Sequence, residues 1–414
     1  MGIPTSSILF TYYMDTINKI VEYIPMSLKN KISYFIPTQL PTWCSVLFMT
    51  TILICILIYV FMLYGKKKCP KNVPQSGILG LHHASDTKTD NYLCNYIIKA
   101  SYSSCAVGNF KNDYVDLCAL KSVIKQGCRF LDFEIYSLDG DPVVAVSKSA
   151  SFNEKGSFNS LDLRNVLKCV YDNAISTYDN STISCPNPKD PLILNFRMKT
   201  SMIDIYNKMA YQLSSIFATV LLSNEYNLNN VASSEGAYDD NMWTSLKLND
   251  AVGKVIVMVD SVDSLLESSR LYEMVNVMSN GIYTNMIRNN DVNYTMQDGK
   301  TPSNEYYTSA NYTKTTVVLP PLQHRPVNYS ANQCFNLGIQ ICCMCFQSEN
   351  ENLSAYNKAF SEEQSAFILK NKFNDDVKLY RATALPEIPP AENVIVSTVT
   401  DMGRFIPSVL TDLN

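Results

Sequence analysis

The chain has 414 residues, 46% of them hydrophobic and 17% charged, with 34 Lys and Arg against 38 Asp and Glu and a formal net charge of -4. This composition excludes a disordered chain, a collagen-like repeat and a nucleic-acid binder held by bulk positive charge. His82, His83 and His324 are the only three histidines, so a mechanism that moves protons between two imidazoles has few candidates.

In chain order, residues 1–43 form an amphipathic region. Met14, Ile17, Val21, Ile24, Leu28, Ile32 and Phe35 recur at helical spacing, and Pro25 interrupts the run. Residues 44–64 carry no charge over 21 positions, which at 1.5 Å per residue spans about 30 Å of hydrocarbon and predicts a single transmembrane helix. Trp43, Tyr59 and Tyr64 stand where interfacial aromatics belong, and Lys66, Lys67, Lys68 and Lys71 follow directly. The positive excess after the helix places the C-terminal domain on the cytoplasmic side. Thirteen cysteines in no paired zinc pattern agree with a reducing compartment. Residues 65–90, with Pro70, Pro74, Gly77 and Gly80, read as a basic and polar stalk.

Beyond the stalk, short apolar strands alternate with helical patterns. Strands are expected at Arg129–Ile135, Pro142–Val146, Leu192–Phe196, Lys254–Val259 and Ile339–Phe346, and helices at Asp113–Gln126, Ser160–Ser176 and Ser201–Leu222. This alternation predicts an α/β fold, either a barrel or a doubly wound sheet. The Asn-rich region 224–302 has the weakest strand pattern and is expected to carry insertions. Cys342, Cys343 and Cys345 read as small hydrophobes on a buried strand. The extension 376–414 holds a short apolar strand at Asn393–Val399.

The stretch Gly127-Cys128-Arg129-Phe130-Leu131-Asp132-Phe133-Glu134-Ile135-Tyr136 resembles the G-C-R-x-[VL]-E-L-D-x-W strand of phosphatidylinositol-specific phospholipase C. Other segments follow in the same order. Leu93 to Ser104 is similar to L-S-x-Y-x-I-S-S-S-H-N-T, Asp139 to Val144 to D-G-x-P-[IV]-[IV], Phe158 to Leu163 to the F-x-D-[VL] helix start, and Asp190 to Phe196 to Y-P-[VI]-I-L-S-[LF]. Further on, Asn328-Tyr329-Ser330, Phe335 to Gln340, Phe346-Gln347 and Phe367 to Lys370 resemble the family's later segments. The resemblance implies a TIM-type barrel with an X-like half at 91–223 and a Y-like half at 303–375, preceded by the transmembrane helix.

Members of that family cleave phosphodiesters with two histidines, and the eukaryotic enzymes use calcium. The resemblance puts Tyr102 at the first histidine position, Ser103 at the adjacent calcium-ligand position, and Val146, followed by Ser147, at the second histidine position. Asp132 and Glu134 keep two carboxylates at i and i+2, on one side of a strand, where they would be the metal ligands if a cation is retained. The third carboxylate position is Arg197, which is expected to form an ion pair with Asp132 or Glu134 in place of a metal. The family's phosphate-binding lysines correspond to Met258 and Asp260, and its R-x-Y arginine to Ala310.

Two readings follow. The leading one is a membrane-anchored pseudoenzyme of the phospholipase C type with no cofactor and no catalytic residue, its vestigial site being Tyr102, Ser103, Asp132, Glu134, Ser147 and Arg197. Its partner is a membrane lipid, anionic or phosphoinositide, with no nucleic acid. The alternative is an active phosphoric diester hydrolase on a lipid phosphodiester, with His82 or His83 as relocated base and calcium as cofactor. His324, in a Pro-rich loop, is expected on the surface. Usage rich in Asn, Ile, Lys and Tyr fits an AT-rich genome, and a virion or host membrane is one expected setting.

Overall fold

The computed structural model describes residues 42–64, 77–81, 90–175, 185–228, 241–260, 264–292 and 304–382. The amphipathic region 1–43 is therefore outside the described residues apart from its last two positions, as are His82, His83 and the strand expected at Asn393–Val399. The chain divides into two units, residues 1–66 and 67–414.

In the first unit, helix α1 runs 23 residues, Thr42–Tyr64. Its described side chains, 45–61, are uncharged and mostly apolar, and most are exposed, with Leu47 66% and Phe61 78% accessible. Among the described residues, no helix is long and apolar enough to cross a membrane, so the transmembrane helix expected at 44–64 is not borne out there.

Among its described residues the second unit has eleven strands: β1 Tyr96–Ser101, β2 Phe130–Leu138, β3 Asp141–Ala145, β4 Leu161–Asp162, β5 Leu192–Met198, β6 Val255–Asp260, β7 Val277–Met278, β8 Thr284–Arg288, β9 Thr315–Leu319, β10 Ile341–Met344 and β11 Phe367–Leu369. Eight of them run parallel in the order β7-β6-β5-β2-β1-β10-β9-β8, a barrel closed everywhere except between β7 and β8. Helices α2 Leu117–Lys125, α3 Leu163–Val170 and α4 Ile203–Phe217 bury their apolar stripes against its wall. Their first turns are set locally: Asp116 caps α2 by accepting from the Cys118 amide at 2.9 Å, and Asp162 caps α3 through the Asn165 amide at 3.1 Å.

The strands read from the sequence are present with shifted ends, and three expectations change. The segment expected as strand Pro142–Val146 is not a stave. Asp139 and Gly140 both take positive φ, 52° and 81°, the backbone of a two-residue hairpin turn, so β3 folds back antiparallel on β2. The final segment at Phe367 likewise pairs antiparallel with β1, as β11. The region 224–302 supplies three staves, β6, β7 and β8, and so belongs to the barrel wall. Two of those are hard to see in sequence, because β7 is two residues long and β8 reads TNMIR, with little apolar alternation. Cys342, Cys343 and Cys345 are fully buried at β10, as small hydrophobes would be.

Candidate active site at the barrel mouth

Register brings the polar residues of adjacent staves level with one another. Asp132 of β2 pairs with Asn195 of β5, which pairs with Met258 of β6. One rung higher, Glu134, Arg197 and Asp260 stand side by side. Alternation along each strand turns Asp132 and Glu134 to the same side, while Phe133 and Phe196 go to the other and stack with ring centroids 5.9 Å apart.

Arg197 holds this site together. Its Nε and Nη2 donate to Asp132 Oδ1 and Oδ2, each at 2.8 Å, and its Nη1 donates to Glu134 Oε1 at 2.7 Å. The guanidinium is 2% exposed and both carboxylates are fully buried. The remaining acceptor capacity is taken up by neutral donors. Asn195 Nδ2 donates to Asp132 Oδ1 at 2.8 Å, the Ser103 amide to Asp132 Oδ2 at 2.9 Å, and Tyr136 Oη to Glu134 Oε2 at 2.8 Å. Asn195 is itself fixed by Ser279 Oγ, which donates to its Oδ1 at 2.7 Å. Burial works against the Arg197 charge, but Asp132, Tyr102 and Glu134 outweigh it and hold the guanidinium well above its ordinary pKa. Arg197 is therefore a permanent cation between two anions.

Tyr102, at the exit of β1, lies under the same guanidinium, 4.7 Å from ring centroid to Arg197 Cζ. Arg288 of β8 sits 5.6 Å from that ring, and its Nη1 donates to Tyr102 Oη at 3.1 Å and to the Pro320 carbonyl at 2.8 Å. Burial pushes the Tyr102 phenol up, opposed by the two arginines. Ser103 takes φ of +44°, which aims its amide at Asp132, and its Oγ accepts from Arg197 Nη2 at 3.3 Å. Val146 is buried behind β3, and Ser147 Oγ accepts from the Ser149 amide at 3.1 Å. At the rim, burial lowers the Lys199 pKa and raises that of Asp260.

The sequence-predicted positions Tyr102, Ser103, Asp132, Glu134 and Arg197 thus converge, and the expected ion pair is made to both carboxylates. Asn195, Tyr136, Ser279 and Arg288 join them without having been anticipated. Asn195 had a signal, a polar residue two positions before Arg197 in an apolar strand. Arg288 had none, since it meets Tyr102 across 186 residues. His324 is exposed, and its carbonyl accepts from the Phe110 amide at 3.0 Å.

Calcium takes six to eight oxygen ligands. All four carboxylate oxygens of Asp132 and Glu134 accept from protein donors, and a guanidinium lies between them, so these residues do not fit that ion. Among the described residues, no group of three or more His, Cys, Asp and Glu is placed to hold a metal.

Residues 89–259 match the family model of the phosphatidylinositol-specific phospholipase C X domain. Among solved structures, the crystal structure of L. pealei PLC21 is similar with a TM-score of 0.51 at 14% identity, over 69% of this chain and 38% of that one. The crystal structure of S. officinalis PLC21 gives 0.50 at 15% identity, over 71% and 39%. No curated protein matches the sequence. Residues 89–259 are thus similar to that X domain, and the barrel shares the fold of these two structures. The X-domain likeness covers β1 to β6, and the chain spans about two-fifths of the length of these two proteins.

Proposed function

We propose that this chain is a membrane-tethered barrel of the phospholipase C kind that does not hydrolyse phosphodiesters, and that it serves as a lipid- or phosphate-binding or structural module at a membrane. One observation carries the reading: Arg197 forks both Asp132 and Glu134 inside the mouth. Calcium-assisted cleavage needs a cation at those carboxylates to offset charge on the phosphorane, and two proton-transfer groups beside it. A fixed guanidinium bonded to both carboxylates fills the first role with a group that cannot coordinate. Tyr102 and Val146 stand where the family resemblance calls for histidines. Neither a phenol held up by burial nor an alkyl chain exchanges protons near neutral pH. No cofactor is assigned.

The tether is α1, uncharged and mostly apolar over its described side chains and continued in sequence by uncharged residues to Tyr64. Lys66, Lys67, Lys68 and Lys71 would add about 1 kcal/mol each on an anionic leaflet and put the barrel on the cytoplasmic side. The family likeness makes a phosphoinositide the lipid to try first.

The test is turnover by the full chain in mild detergent, on phosphatidylinositol vesicles with millimolar calcium and with chelator. Release of inositol phosphate at the rate of the protein-free blank is expected in both. Turnover that disappears on Asp132→Ala or His83→Ala would instead establish the hydrolase with relocated residues.

A further inference from the structure

Five N-x-S/T sequons follow the apolar segment, at Asn180, Asn293, Asn311, Asn328 and Asn352. On the lumenal side of a secretory membrane each is an acceptor for oligosaccharyl transfer. The first two lie outside the described residues. In the other three the fold has already engaged the acceptor nitrogen. Asn311, between the helix Asn304–Ala310 and β9, is fully buried. Its Nδ2 donates to the Leu337 carbonyl at 3.2 Å, and its Oδ1 accepts from Thr316 Oγ1 at 2.7 Å. Asn328, in the loop after β9, is 2% exposed and clasps Cys345, the residue after β10. Its Oδ1 accepts from the Cys345 amide at 2.6 Å, while its Nδ2 donates to the carbonyls of Cys345 at 3.1 Å and Ser348 at 2.8 Å. Asn352 is half-buried in the first turn of the helix Glu351–Glu362, and its Nδ2 donates to the Asn328 carbonyl at 2.8 Å. Asn328 and Asn352 thus tie the loop after β9 to the loop after β10.

N-glycosylation joins Nδ2 to the anomeric carbon of a lipid-linked oligosaccharide, with loss of one amide proton and departure of the lipid diphosphate. The transfer acts on the emerging chain, before a barrel of this kind can close. A modified Asn328 would keep one N–H for two carbonyls and carry a hydrophilic sugar at a position with almost no exposure; a modified Asn311 would carry it where there is none. Neither chain could reach the arrangement seen here. Thiol state does not separate the two sides of a membrane in the same way, because nine of the ten free cysteines among the described residues are buried and Cys118 is disulfide-bonded.

We propose that Asn311, Asn328 and Asn352 are structural amides closed to glycosylation, and that the barrel folds on the side of its membrane that oligosaccharyl transfer does not reach. The argument comes from the fold and is independent of the charge beside α1. It rests on the tethered reading above only in putting residues 1–43 on the opposite side. The lipid that the barrel meets is then one of the anionic cytoplasmic leaflet.

Translation of the full chain with sealed rough microsomes tests this. Peptide N-glycosidase should leave the mobility of the unmodified chain unchanged, and protease added outside should digest the barrel. Ile20→Thr, which completes a sequon at Asn18, should add one glycan that the glycosidase removes. A protected barrel, or a glycan at Asn311, Asn328 or Asn352, overturns the proposal. If Ile20→Thr gains no glycan and alkaline carbonate releases the chain, the tether fails, while digestion of the barrel still upholds the side on which it folds. The structural role is read separately by urea unfolding of the full chain in detergent. Thr313→Ala with Ser330→Ala removes two sequons and leaves their amides in place, and should keep the midpoint of the unmodified chain. Asn311→Ala and Asn328→Ala should each lower that midpoint or prevent folding, and unchanged midpoints in both would overturn the structural assignment.

Discussion

Replacing Arg197 with alanine is expected to lower the stability of the barrel by about 3–5 kcal/mol, the cost of leaving buried charges without their partner. The size follows from geometry. Asp132 and Glu134 are fully buried, and three of their four oxygens accept from this one guanidinium. Taking it away leaves two carboxylates, a register step apart, with only neutral donors from Asn195, Ser103 and Tyr136. Two like charges in a low-dielectric interior then repel as well as lacking solvation. The contrasting variant removes all three charges at once, as Asp132→Asn, Glu134→Gln and Arg197→Met. It is expected to cost far less, since buried ion pairs replaced by neutral groups of similar volume are often near neutral in stability. Urea unfolding followed by the fluorescence of buried Trp243 measures both. Equal losses in the two variants would mean that packing of the Arg197 side chain, and not charge compensation, is what the barrel needs.

The second large effect has the opposite sign. Lys370, just after β11, is fully buried, and its Nζ donates to the Asn311 carbonyl at 2.7 Å and the Cys94 carbonyl at 3.2 Å. Burial brings its pKa down from 10.5 to about 8. A depressed lysine destabilises the folded state fully below pH 8, where it must be charged inside, and the penalty is gone above about 10.5, where the unfolded chain is neutral too. The difference of about 2.5 pH units corresponds to about 3 kcal/mol at pH 7. Lys370→Met should therefore stabilise the protein by about 2–3 kcal/mol at pH 7, and the gain should shrink toward zero near pH 10.5. The two N–H groups of Gln340 Nε2 are shared among the carbonyls of Lys314 at 2.8 Å and of Cys94 and Asn311 at 3.1 Å each, so one of the carbonyls it abandons keeps a partner and the gain is put at the lower end of that range. Unfolding at both pH values, compared with the unmodified chain, checks the sign. Comparison is essential because the buried cysteines, whose thiols burial pushes up, destabilise the fold at alkaline pH in every variant. A loss at pH 7, or a gain that persists at 10.5, would show that the two carbonyl bonds outweigh the burial of the charge.

The sequence made β2, β5, β6 and β10 legible because parallel staves buried on both faces read as continuous apolar runs, and any polar residue within them stands out. Asp132, Glu134 and Arg197 were visible for that reason, and the ion pair among them follows from opposite charges at neighbouring positions of one barrel. The hairpin turn at Asp139-Gly140 was present in sequence too, as an Asp-Gly dipeptide between apolar runs, but a βα reading of the surrounding pattern hid it. Staves β7 and β8 were not legible. Two residues and a polar TNMIR segment carry too little periodicity to register, and their place in the wall is set by pairing with β6 and β9. Arg288 was lost with them. Lys99 and Lys370 were invisible for a different reason. Lysine is normally solvated, and only the fold shows that their ammonium groups end on the backbone carbonyls of Gln126 in one case and Asn311 in the other.

Calcium binding by the full chain, measured by isothermal titration in detergent with the Arg197→Ala variant alongside, is the most direct test that Arg197 holds the position of a divalent cation. No saturable heat is expected from the unmodified chain up to millimolar calcium. A one-to-one site in the unmodified chain that disappears on Asp132→Asn would contradict the closure of the mouth by Arg197.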